Sequence, residues 1–103
     1  MKQTAIALLI LCLTASSAPA GNAIKKACLK AGRAGATHAL CGCIQKVADR
    51  RLKSKDQRLA ASFFKDPHKA QVIRQSDRKA HEIFWKKYKA FGAAAEEECS
   101  ENS

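Results

Sequence analysis

The sequence predicts an all-α fold: a small bundle of about five short helices stapled by two disulfides. Strand signals are weak, because the only valines are Val47 and Val72 and no useful run alternates polar and apolar residues. Helix start and stop residues, by contrast, recur along the chain. Four cysteines, Cys28, Cys41, Cys43 and Cys99, follow an export leader, where an oxidising compartment lets disulfides persist.

The leader is read from residues 1–20. Lys2 supplies a positive start, Ala5 to Leu13 an apolar stretch, and Ala18-Pro19-Ala20 a small-residue cleavage site before Gly21. Cleavage after Ala20 removes 20 of the 103 residues, with Lys2 and Cys12, leaving 83 residues, four cysteines and a charge of +9 in place of +10. Cys12 follows Ile10-Leu11 and lacks the small residue expected before a lipidated cysteine. The apolar run is shorter than the ~20 residues of a membrane span, and no later run is long enough. Residues 21–103 are therefore expected to form one small soluble domain, exported and periplasmic because the short leader is of bacterial type.

The first helix is expected from an Asn22 cap to Ala31, broken by Gly32-Arg33-Ala34-Gly35. The second runs from Thr37 to about Lys53; its wheel puts Leu40, Ile44, Val47 and Ala48 on one stripe and Gln45, Lys46 and Asp49 opposite. Ser54-Lys-Asp-Gln57 resembles a capping box opening a third helix to Lys65, with Leu59, Ala60, Phe63 and Phe64 inward. Asp66-Pro67 starts a fourth helix to about Gln75, proline being tolerated at the first helical position. Ser76-Asp77 starts a fifth, with Ala80, Phe84, Tyr88 and Phe91 inward, and Gly92 is expected to end it as a left-handed residue. A separate short turn, Ala93 to Cys99, then carries Glu96-Glu97-Glu98.

On the second helix Cys41 and Cys43 fall about 75–85° to either side of the apolar stripe and point apart. A bond between them is therefore disfavoured. Two pairings remain: Cys28–Cys41 with Cys43–Cys99, favoured because Cys28 sits level with Cys41 in a hairpin, and Cys28–Cys43 with Cys41–Cys99. Closing loops of ~15 and ~57 residues contributes about 3 and 4 kcal/mol in the chain-entropy model. Those amounts decide the fate of a domain whose stability is ~5 kcal/mol. A thiol exchanger would carry Cys-x-x-Cys at a helix N-terminus, which is missing here. A metal site from His38, Cys41 and Cys43 has suitable ligand types but unsuitable one-residue cysteine spacing, so no metal and no cofactor is expected.

Lysine and arginine total 19 against 9 acidic residues. They concentrate at Lys25-Lys26, at Arg50-Arg51-Leu52-Lys53-Ser54-Lys55 and at Lys86-Lys87-Tyr88-Lys89. Such a surface keeps an exported protein soluble, and it also attracts an acidic protein, an anionic lipid or another polyanion. Arg50, Arg51, Lys53, Lys86, Lys87, Lys89 and Trp85 are the candidate contacts. Nucleic acid suits the charge and not the compartment. Lys87 lies within the apolar stripe of the fifth helix, where its stem can cover apolar surface while the ammonium reaches water.

Catalysis has little basis in the sequence. His38, His68 and His81 are isolated, nucleophile-elbow and His-Glu-x-x-His motifs are missing, and the clustered carboxylates are terminal. The expectation is a protein that is not an enzyme.

Three motifs, Ala-Leu-Cys-Gly-Cys-Ile-Gln at 39–45, Phe-Phe-Lys-Asp-Pro at 63–67 and Phe-Trp-x-x-Tyr-Lys-x-Phe-Gly at 84–92, sit in longer runs covering nearly all of the mature chain. Together they resemble a family of small exported alphaproteobacterial proteins of the Rhodobacter and Roseobacter type. Members commonly carry the label "arginine transporter". The resemblance implies a soluble accessory of arginine or amino-acid transport, with a transport partner, and assigns no catalytic or binding residue. A chain without a membrane span forms no path across a bilayer by itself. An arginine receptor would set carboxylates around the guanidinium, and this +9 chain repels arginine at long range. The reading is a non-enzymatic binding or interaction module with a basic surface. The alternatives are the transport accessory and a redox or metal protein acting through Cys41 and Cys43.

Overall fold

The computed structural model describes residues 21–32 and 35–100. The leader expected over residues 1–20, with its cut after Ala20, and Arg33-Ala34 of the first turn lie outside the described residues. Among the described residues there are five α-helices and no strand: α1 Ala23–Lys30, α2 His38–Arg51, α3 Ser54–Lys65, α4 Pro67–Gln75 and α5 Lys79–Cys99. The predicted all-α bundle is the observed fold.

The buried residues of α1 are Ile24 and Cys28, one turn apart on a single face. Asn22 precedes it without a side-chain capping bond, and its carbonyl accepts the Lys26 N–H at 2.7 Å. The chain leaves α1 through Gly32 at φ +59°, whose N–H reaches the Leu29 carbonyl at 3.2 Å. Only glycine adopts that left-handed turn without strain.

α2 starts at a true cap: Thr37 Oγ1 accepts the Leu40 N–H at 3.0 Å. It ends at Arg51, before the expected Lys53, because Leu52 turns extended and enters the core at 4% exposure. The capping box expected at Ser54 and Gln57 does not form. Lys53 occupies the cap position without a side-chain bond, Ser54 is already helical, and Gln57 is buried. Gln57 instead serves contacts to α2, where a satisfied buried amide outweighs one exposed cap bond.

α4 opens on Pro67, as the missing proline N–H permits, although the Asp66 carboxylate makes no capping bond. Between α4 and α5, Ser76 Oγ accepts the Arg78 N–H at 3.2 Å and lies 2.7 Å from His81 Nδ1. α5 overturns the expected stop at Gly92, for the helix continues to Cys99 and the expected Ala93–Cys99 turn is its last part. A helical glycine costs about 1 kcal/mol relative to alanine. Burial of Phe91, Ala94 and Cys99 along one face, with the Cys99 disulfide, offsets that cost.

The most closely packed pairs are α1/α2, α2/α5, α5/α4, α4/α3 and α3/α1, and α3 also reaches α5 through aromatic side chains. The helices therefore close a ring, and all five contribute to the core within it: Ile24, Val47, Ala48, Ala60, Phe63, Ile73, Phe84 and Phe91 are among its buried residues. Phe63 of α3 meets Phe84 and Tyr88 of α5 at ring separations of 5.9 and 5.2 Å, the second edge-on. Edge-on aromatic pairs add specific attraction to their apolar burial.

The α2 wheel is also corrected. Leu40 and Ile44 are only half-buried, whereas Gln45, expected to face solvent, is 4% exposed. α1 packs over that flank, so its Oε1 accepts the Lys25 backbone N–H at 2.9 Å. Gln45 Nε2 donates to Asp49 Oδ1 at 2.8 Å and to Gln57 Oε1 at 2.9 Å. Gln57 Nε2 completes the cluster on the Leu52 carbonyl at 3.1 Å and Asp49 Oδ1 at 3.2 Å. Among the described residues, every buried side-chain nitrogen and oxygen has a partner. A fully satisfied polar cluster of this kind fixes how α1, α2 and α3 align.

Candidate functional site

The cysteines build the frame on which the surface grooves rest. Cys28 bonds Cys41 across the α1–α2 hairpin with Cα atoms 5.7 Å apart, and Cys43 bonds Cys99 at the end of α5 with Cα atoms 5.8 Å apart. Because Cys41 and Cys43 leave opposite flanks of α2, each bond holds a different neighbour. Cys41 is fully buried, whereas Cys43 is half-buried and lines a surface groove.

The basic residues singled out from sequence do not form one face. Arg50 lies in the groove beside Cys43 with Lys25, His38 and Lys46, and its guanidinium pairs with Glu98 near the end of α5. His38 and Cys43 thus share a groove, while Cys41 is turned away toward Cys28. Lys86, Lys89 and Trp85 line a second groove with Ile73, Arg74 and Glu82, between α4 and α5. Trp85 is half-buried there and packs 5.2 Å from Tyr88. Arg51 is exposed on the last turn of α2.

Lys53 and Lys87 meet in a third groove, between the start of α3 and the face of α5. Two residues that sequence reasoning did not select join them, Lys55 and His81. The groove has a volume of about 500 Å³, within the range of small-molecule sites. Buried Phe84 and half-buried Leu59 form its base, and Ala80 and Ile83 continue the apolar lining. Ile83 is 50% exposed, a large apolar side chain half open to solvent. The lysines are all exposed, and the lining carboxylate is Asp56.

Electrostatics leave this groove cationic. Lys87 Nζ approaches Asp56 Oδ2 at 3.8 Å, so one ammonium is partly compensated. Lys53 and Lys55 make no ion pair among the described residues. Anions are therefore attracted to a concave surface whose base is apolar. The sequence held a signal for this groove: Ala80, Ile83, Phe84 and Lys87 recur at helical spacing. That pattern reads equally as core, and Ala80 is in fact exposed.

Burial of Tyr88 among Phe63, Phe84, Trp85 and Phe91 raises its hydroxyl above the ordinary tyrosine range, by desolvation of the phenolate. Among the described residues, no helix is long and apolar enough to cross a membrane. The fold and grooves define a disulfide-stapled helical protein with a divided basic surface. Comparison with known proteins finds no matching family model, no matching curated protein and no matching solved structure.

Proposed function

We propose that this protein is exported, cut after Ala20, and works in the periplasm as a non-enzymatic binding module that takes an anionic partner at the α3/α5 groove. The observation that carries this reading is the convergence of Lys53, Lys55 and Lys87 from two helices around an apolar base. The leader pattern and the two disulfides support the exported compartment. The transport-accessory reading has less support, because the lining carboxylate Asp56, which arginine would need, already faces Lys87. The cysteine-chemistry reading also has less, since both sulfurs of Cys41-Gly42-Cys43 are held in separate disulfides.

The test compares two charge-matched variants of the oxidised protein, Lys53→Glu/Lys55→Glu and Lys86→Glu/Lys89→Glu, in binding poly-L-glutamate across a salt series. The groove pair is expected to lower affinity at least tenfold, and the α5 pair less than threefold. Equal losses would reduce the basic surface to unspecific charge and remove the groove from the account.

A further inference from the structure

We propose that the occupant of the α3/α5 groove is a small anionic amphiphile, a single alkyl chain with one carboxylate head, bound as a monomer. This rests on the groove being the binding site and goes on to name the chemistry of its ligand.

The lining divides into two parts. Phe84 and Leu59 make the base, and Ile83 beside them is half exposed. Lys53 and Lys55 lie at the start of α3, exposed and outside any ion pair among the described residues. A purely polar anion would leave the exposed half of Ile83 wet. A neutral apolar ligand would gain nothing from the ammoniums. A molecule with both parts satisfies each, its chain on the apolar base and its head between Lys53 and Lys55.

Asp56 sharpens the choice toward a small head. Its carboxylate also lines the groove and repels a second negative charge, while Lys87 compensates it only at 3.8 Å. One charge placed on the Lys53/Lys55 side avoids Asp56, whereas a second charge carried deeper into the groove meets it. A bilayer surface fits less well, since insertion needs a broad apolar face. The large apolar side chains exposed among the described residues are Val72 and Ile83, on different helices. A volume of about 500 Å³ matches a small ligand seated in the groove.

The experiment uses oxidised protein carrying 13C-labelled isoleucine methyl groups, titrated with sodium decanoate below its micelle concentration. Ile83 is expected to shift saturably, while Ile24 and Ile73, which are buried elsewhere, stay within a small fraction of that change. Decanol and butyrate are expected to bind at least tenfold more weakly than decanoate. Lys53→Glu/Lys55→Glu is expected to weaken decanoate at least tenfold with an unchanged melting curve. An Ile83 signal indifferent to decanoate overturns the ligand assignment, as does equal binding of decanol. If decanoate fails while poly-L-glutamate binding still depends on Lys53 and Lys55, the groove stands and the amphiphile falls. A shift of Ile83 caused only by phosphatidylglycerol vesicles replaces the monomeric ligand with a membrane surface.

Discussion

Asp56 and Lys87 face each other across the α3/α5 groove at 3.8 Å, the aspartate side chain 13% exposed and the lysine side chain 43% exposed. The two partners are unequally buried, so removing either has unequal consequences. Lys87→Met leaves a largely buried carboxylate without its cation and should cost about 1–2 kcal/mol. Asp56→Asn leaves an exposed ammonium and should cost about 0–1 kcal/mol. Urea midpoints of the two variants check the order, and a reversed order would show that the Asp56 carboxylate contributes more at the α3 N-terminus than Lys87 does by compensating it.

The two disulfides should differ in their response to reductant. Cys28 and Cys41 are buried, whereas Cys43 borders a groove containing Lys25, His38, Lys46 and Arg50. Accessible sulfur is attacked first. Limiting reductant followed by alkylation and peptide mass analysis should find Cys43 and Cys99 labelled before Cys28 and Cys41. Replacing Cys43 and Cys99 by serine should cost about 4 kcal/mol, and Cys28 and Cys41 about 3 kcal/mol, if loop entropy governs.

Gly92→Ala should stabilise the protein by about 1 kcal/mol, because the glycine is in a helix interior and an added Cβ meets nothing within 4 Å. Gly32→Ala should destabilise it, since φ there is +59°. Thermal melts of both variants test the continuity of α5. A destabilising Gly92→Ala would restore the helix stop that the sequence suggests.

Gln45 and Gln57 should behave as a coupled pair, since Gln45 Nε2 donates to Gln57 Oε1 at 2.9 Å and both bond Asp49. Each single change to leucine leaves buried partners unsatisfied and should cost about 1–3 kcal/mol. The double change should cost less than the sum of the two. A double-mutant cycle by chemical denaturation measures the difference, and strict additivity would contradict a cooperative cluster.

Tyr88 is the chain's one tyrosine, so its ionisation can be followed by absorbance without overlap. Burial raises its pKa in the folded state, which means the folded protein holds the phenolic proton more tightly than the unfolded chain. The associated stability is complete below the ordinary value near 10 and is lost as pH rises through the folded pKa. Native protein should form tyrosinate at higher pH than protein in denaturant. Tyr88→Phe should remove the corresponding part of the alkaline loss.

The sequence by itself determined where most helices begin and what class of fold they build. Thr37, Asp66-Pro67 and Gly32 act through a few neighbouring backbone groups, so their meaning is legible without knowing what packs nearby. The placement of Cys41 and Cys43 on opposite flanks follows from the helical period alone. Tertiary structure decided the fates of Gln45, Gln57 and Gly92. Gln45 faces the polar side of its own helix and is buried because α1 covers it; Gln57 leaves the expected cap because α2 offers better partners. α5 passes through Gly92 because apolar burial and the Cys43 bond beyond it exceed a cost of about 1 kcal/mol. The basic residues were visible as runs, yet only the meeting of α3 with α5 selects Lys53, Lys55 and Lys87 from them. Local signals act over one helical turn, whereas burial and charge convergence depend on residues from 12 to 56 positions apart.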